Sequence, residues 1–300
     1  MDKNNEKQKI GRILVPIDFS DYSLNACYFA QHLSARHEAE ILLFHAFFNP
    51  MVDALTFPDA FTYQSNMAEV FHELERNARR EINEFSKKLK IYAKLKNLEN
   101  IRIKTKVAAG QPADEIENII KSFDPGIIII GTRGHGKRTT EVLGSVASKV
   151  IDTAGTPVLL VTQDAVLKED RRIKVLYATN FDDSDFKALE SMAGILSGYP
   201  IAIECVHFST TTDPGEYVAD MEKLTGMKKH FNDIYPEIPL ECHTIENKNI
   251  LDGLNRFVED ADIDLIALTH KKRNLFYRLF NPSLAKKLLF QTKRPVFVFN

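Results

Sequence analysis

Three glycines stand at Gly131, Gly134 and Gly144, the last followed by Ser145, behind four consecutive isoleucines (Ile127 to Ile130) and ahead of a helical pattern. Glycine lets a backbone approach a ligand closely, while loop amides and a helix N-terminus supply hydrogen-bond donors and partial positive charge. A buried strand, a glycine loop and a helix start together describe an anion-binding corner, most suited to phosphates. Asp18 closes another apolar run, Ile13 to Ile17. A carboxylate at a strand end suits the hydroxyls of a ribose.

A second reading of the same loop is a P-loop. Gly131-Thr132-Arg133-Gly134-His135-Gly136-Lys137 fits G-x-x-x-x-G-K, but the next residue is Arg138, where that motif needs a Ser or Thr hydroxyl for magnesium. The strand is also the fourth of its unit, and no second carboxylate motif completes a hydrolytic site. This mismatch disfavours the P-loop. No nucleophile–histidine–carboxylate pattern or paired-carboxylate site stands out either, so no catalytic residue is assigned. Cys205 and His207 share a strand face, with Cys242 and His243 on the neighbouring strand pattern. They are weak zinc candidates, because Cys242 and His243 point to opposite faces of a regular strand. Cys27 reads as a small buried side chain, and His32, His37, His72 and His230 read as isolated surface histidines.

The elements that must position these groups come in two copies. Ile13-Leu14-Val15-Pro16-Ile17-Asp18-Phe19-Ser20-Asp21 resembles Val175-Leu176-Tyr177-Ala178-Thr179-Asn180-Phe181-Asp182-Asp183, and at the same offset of 162 His45 matches His207. Each half closes with an apolar strand after a proline, Pro157 or Pro295. The periodicity predicts strands at 12–18, 39–46, 101–108, 126–131 and 157–162, and helices at 21–35, 66–97, 112–123 and 140–153. In the second half strands are expected near 173–179, 200–207, 239–245, 263–269 and 295–299. The expected class is α/β: two tandem doubly wound domains, each with a five-stranded parallel sheet, over 1–164 and 173–300, with the polar stretch 165–172 as linker. The closing strands are expected to pair antiparallel across a pseudo-twofold axis, since edge strands so apolar need covering. The aromatic loop from Phe47 to Ser65 reads as a lid over the site or as packing against the other half.

The bulk properties exclude several classes. At 300 residues the chain suits two domains, and its net charge of −2 offers no global field for nucleic acid or an anionic membrane. No apolar run is long enough to span a bilayer, and Met1 to Lys9 has no signal-peptide core. Three widely spaced cysteines without a CxxC fit a reducing, cytoplasmic setting.

The spacing Gly131-x2-Gly134-x9-Gly144-Ser145, with Asp18 and the repeat, resembles that of the universal stress protein family over essentially the whole chain. The resemblance implies an adenine nucleotide alpha hydrolase-like fold that binds ATP, or ADP or AMP, with Mg2+. Carried over, Pro16, Ile17 and Asp18 would hold the adenine and ribose end, Ala46 would contact the base, and Ile130 and Gly131 would line the other wall. Gly134, Gly144, Ser145 and Val146 would present amides to the phosphates, with Arg133, His135 and Lys137 adding charge. Ala147 stands where the family pattern often has a hydroxyl residue. In the second half, an ungapped alignment puts Leu268, Lys271, Asn281 and Pro282 opposite Gly131, Gly134, Gly144 and Ser145, and Asn180 opposite Asp18. That half is expected to have lost the site, and His270-Lys271-Lys272-Arg273, with Arg278, Lys286 and Lys287, reads as a solvated basic face. The resemblance implies a stress-response protein that binds nucleotide and regulates a protein partner, as a pseudo-dimer in one chain, with a homodimer as a further expectation. A slow ATPase or related nucleotide-dependent enzyme, and a ligand-free interaction scaffold, are the alternatives.

Overall fold

The computed structural model describes residues 10–48, 60–98, 100–134, 143–168, 171–181, 183–209, 213–246, 250–270 and 293–300. The first half runs β1 (Arg12–Pro16), α1 (Asp21–His37), β2 (Glu40–Phe47), α2 (Ala60–Leu95), β3 (Arg102–Ala109), α3 (Pro112–Phe123), β4 (Ile127–Gly131), α4 (Ser145–Thr153) and β5 (Val158–Val161). The second runs β6 (Ile173–Ala178), α5 (Asp183–Ile195), β7 (Ile201–Ser209), α6 (Pro214–Ile234), β8 (Leu240–Glu246), α7 (Ile250–Asp260), β9 (Leu265–Thr269) and β10 (Val296–Phe299). Local chemistry marks the helix ends. The Ser20 hydroxyl accepts from the Ser23 amide to cap α1, and α3 opens on Pro112 with Asp114 and Glu115 in its first turn. Helix α2 begins at Ala60, six residues before the periodicity places it, whereas α4 begins at Ser145, after Leu143 and Gly144 outside the helix.

All ten strands form one sheet in the order β3-β2-β1-β4-β5-β10-β9-β6-β7-β8. Pairing is parallel within each half and antiparallel at the centre, where Leu159 lies opposite Phe297. These two residues hold the same place in the two halves: Val158 and Val296 each follow the closing proline and pair with Ile128 and Ile266. The pseudo-twofold axis therefore passes through the Leu159–Phe297 pair, and two apolar edges cover each other as expected.

Alternation along the strands splits the core into two layers. Ile13, Val15, Ile129, Tyr177 and Phe297 face α1, α2, α5 and α6 in one layer that runs through both halves. Leu14, Ile128, Ile130, Leu160 and Val298 face α3, α4 and α7 in the other.

Two histidines depart from their expected settings. His37 is buried rather than exposed: its Nδ1 accepts from the Ile10 amide, leaving Nε2–H to donate to the Ile195 carbonyl of the other half at 2.8 Å. His32 is buried too, 2.9 Å from the Tyr92 hydroxyl. The connector is fastened to both halves. Ala165 is buried, Asn25 donates to the Thr162 and Ala165 carbonyls at 2.8 Å, and Lys168 and Arg171 reach Asp264 at 3.0 and 2.7 Å.

Candidate functional site

The carboxyl ends of β1, β2 and β4 open onto a cleft of about 230 Å³ roofed by the starts of α3 and α4. Of the residues singled out from the sequence, Pro16, Ile17, Asp18, Ala46, Ile130, Gly131, Arg133, Gly134, Gly144, Ser145 and Val146 all line it. They come from segments more than a hundred residues apart, and parallel pairing of β1 with both β2 and β4 brings them together. His135 and Lys137 lie outside the described residues, as does most of the aromatic loop before Ala60.

Asp18 is held rather than free to swing. Its Oδ1 accepts from the Ser20 amide at 3.1 Å and from the Ser20 hydroxyl at 2.6 Å. The next residue, Phe19, adopts a left-handed conformation (φ 65°) that lays its ring on His45, with centroids 4.5 Å apart. His45 Nδ1 in turn bonds the Ile17 carbonyl at 2.9 Å. Across the cleft Gly134 comes so close to Asp18 that a β-carbon on it would lie 2.3 Å from Oδ2. A glycine here reflects space, not backbone angle.

Gly131 meets a different constraint. A β-carbon on it would stand 2.8 Å from Tyr22 Cβ and 2.9 Å from the Tyr22 carbonyl carbon, so it lets α1 pack onto the strand end. Gly144 corrects an expectation: its N–H donates to the Thr132 carbonyl at 2.9 Å, so it adds room to the cleft but not a donor. It caps α4 without any side-chain bond, which leaves the amides of Ser145, Val146 and Ala147 in the first, unpaired turn. The Arg133 guanidinium lies over the Tyr22 ring at 5.9 Å.

Sequence reasoning did not single out Ser23, Phe44, His45, Pro112 and Ile116 as lining residues. The signal was present for one group: a helix that follows the third parallel strand must start near the same end of the sheet, which places Pro112 and Ile116. Ala147 is buried in the α4 layer and offers the cleft a methyl group.

The equivalent corner of the second half is built differently. Strand register places Thr269, not Leu268, opposite the position of Gly131, because Gly131 pairs with Val161 as Thr269 pairs with Phe299. Asp185, at the place of Ser23, is buried and accepts from the Thr179 hydroxyl and the Asn180 amide, each at 2.9 Å, and from the Thr269 hydroxyl. Tyr177 adds its hydroxyl to this cluster, and burial first, then the Asp185 charge, pushes its pKa well above the ordinary value. Phe181 repeats Phe19 with φ 65° and packs on His207, so the turn survives while its chemistry has changed. His270 is also not on a solvated face: it is buried, with Nε2 3.3 Å from Asp152 of the first half. Lys271, Lys272, Arg273, Arg278, Lys286 and Lys287 lie outside the described residues, as do Asn281 and Pro282.

The four zinc candidates do not converge. Cys205 and Cys242 are register partners on β7 and β8, but His207 bonds the Thr179 carbonyl at 3.0 Å and His243 turns to Glu204 at 2.7 Å. Among the described residues, no three His, Cys, Asp or Glu side chains gather to hold a metal. No described helix is long and apolar enough to cross a membrane.

Comparison with known proteins agrees with this architecture. A universal stress protein from Archaeoglobus fulgidus DSM 4304 superposes with a TM-score of 0.61 at 18% identity, covering 96% of each chain. A putative universal stress protein from Pseudomonas aeruginosa UCBPP-PA14 gives 0.55 at 15% identity, covering 98% of this chain and 95% of its own. In sequence, universal stress protein YxiE of Bacillus subtilis is 32% identical over 151 residues, half of this chain and 97% of the relative. Universal stress protein MJ0531 of Methanocaldococcus jannaschii is 30% identical over 150 residues, half of this chain and 81% of the relative. The pattern of the universal stress protein family matches residues 9–162, the half that carries the cleft, and this chain belongs to that family.

Proposed function

We propose that the first half binds an adenine nucleotide, ATP or its ADP or AMP relatives, and that the protein acts in the stress response by binding and regulation rather than by turnover. The observation that carries this reading is the juxtaposition of Asp18 with Gly134 across a cleft that ends on the start of α4, which has no side-chain cap. Asp18, fixed by Ser20, would take the ribose hydroxyls. Ile17, Ala46 and Ile130 would bracket the base with apolar walls and backbone groups. The amides of Ser145 and Val146, with the Ser145 hydroxyl, would meet the phosphates at the positive end of the helix dipole. Mg2+ would arrive on the phosphates. The second half, whose corner carries Thr269 and the Asp185 cluster, would serve as a structural counterpart or as the surface that a partner protein reads.

The test is to denature freshly purified protein, identify released nucleotide by chromatography, and titrate ATP into wild type and Asp18→Ala. About one adenine nucleotide per chain, with affinity lost in the variant, supports the reading. No nucleotide and no ATP binding would sink it in favour of an interaction scaffold. Multiple-turnover phosphate release that Asp18→Ala abolishes would instead make the protein a slow ATPase.

A further inference from the structure

Cys205 and Cys242 form a feature that the nucleotide reading does not use. They are directly opposed on the adjacent parallel strands β7 and β8. Register partners on neighbouring strands stand about 4.8 Å apart, within the roughly 4.4–6.8 Å that disulfides span between Cα atoms. Both side chains face the layer under α6: Cys205 is fully buried 3.6 Å from Met227 Sδ, and Cys242 sits at its margin, 3.6 Å from the Leu224 carbonyl. In the first half the equivalent register pair is Leu43 and Thr105, so the dithiol is peculiar to the second half.

The two sulfurs differ in a way that assigns roles. Cys242 lies on β8, the last strand of the sheet, and is partly exposed, whereas Cys205 is closed to solvent. The neighbouring Cys205 thiol, helped by the Lys228 ammonium, lowers the Cys242 pKa against the opposing effect of burial and of Glu241 and Glu204. The proximity of Cys242 and burial push Cys205 well above the ordinary thiol value. A lowered, reachable thiolate is the attacking form of cysteine, and a neighbouring thiol resolves it.

We propose that Cys242 and Cys205 are a redox-active dithiol which hydrogen peroxide converts into a disulfide linking β8 to β7. The Cys242 thiolate attacks one peroxide oxygen. An S–O bond forms, the O–O bond breaks, and the departing hydroxide takes a proton to leave as water. The sulfenic acid on Cys242 is then attacked by the sulfur of Cys205. The S–S bond forms, the S–O bond breaks, and the Cys205 proton leaves with the hydroxyl as a second water. Two thiols are oxidised by two electrons and one peroxide is reduced to two waters.

The full-length protein is treated with hydrogen peroxide and digested without reductant. The expected result is a peptide joining Cys205 to Cys242, with titratable thiols after denaturation falling from three to one per chain, restored by dithiothreitol. In Cys205→Ser the sulfenic acid persists and dimedone labels Cys242. In Cys242→Ser no cross-link forms and Cys205 stays unlabelled. Three surviving thiols under conditions that oxidise a free cysteine peptide in the same tube would overturn the proposal. So would dimedone on Cys205 in Cys242→Ser, or cross-links only between chains. Should the buried Cys205→Ser substitution prevent folding, the wild-type cross-link map decides alone.

Discussion

A β-carbon placed on Gly134 would lie 2.3 Å from Oδ2 of Asp18, far inside contact distance. The carboxylate cannot simply turn away, because Ser20 holds its other oxygen through both amide and hydroxyl. Any residue larger than glycine must therefore displace the loop or break the Ser20 bonds. Gly134→Ala is expected to weaken ATP binding at least about tenfold, or 1.4 kcal/mol. Its thermal midpoint should stay near that of wild type, since the cleft mouth lies outside the packed core. Calorimetric titration beside a melting curve checks both halves of this statement.

Gly131→Ala should fail differently. The new methyl would meet Tyr22 at 2.8 Å, including its backbone carbonyl carbon at 2.9 Å, and a backbone cannot rotate out of the way. Overpacking of this kind costs about 1–3 kcal/mol. The loss should appear in urea unfolding, and adding Tyr22→Ala should restore none of it, because alanine keeps both the Cβ and the carbonyl carbon that the new methyl meets. Recovery in the double variant would show that the ring, not the Cβ or the backbone, sets the constraint.

Phe297 is fully buried at the centre of the sheet, opposite Leu159, where the halves join. Phe297→Ala should cost about 3–5 kcal/mol through lost burial and the cavity left behind. Urea unfolding followed by circular dichroism measures it. A loss below 1 kcal/mol would mean that the strand junction matters little to stability.

The buried Cys27 thiol is expected to make stability fall in alkali. Burial raises its pKa far above the ordinary range, so the native state keeps the proton while the unfolded chain releases it above about pH 8.5. The unfolded state then binds fewer protons than the native one, and stability declines as pH rises. One such group contributes about 1.4 kcal/mol per pH unit above its unfolded pKa, and nothing below it. Between pH 7 and pH 10 the slope of unfolding free energy for Cys27→Ala should be shallower than wild type by that amount above the thiol pKa. Equal slopes would contradict the account.

What the chain revealed unaided was whatever has a local or repeating signature. Apolar runs such as Ile127 to Ile130 announce buried parallel strands, and the repeat from Ile13 to Val175 announces two similar halves. The glycine spacing pointed to the cleft because close backbone approach leaves small residues in the sequence itself. Tertiary structure decided what depends on meetings between distant residues. His37 sits in a polar stretch and reads as a surface residue, yet the second half brings the Ile195 carbonyl to its ring. Gly144 loses its donor to Thr132 because the loop folds back on the strand end. Thr269 rather than Leu268 takes the place of Gly131, since strand register is set by side chains on both faces of a sheet that a linear alignment does not see. Cys205 and Cys242, 37 residues apart, become neighbours only when β7 and β8 pair in that register.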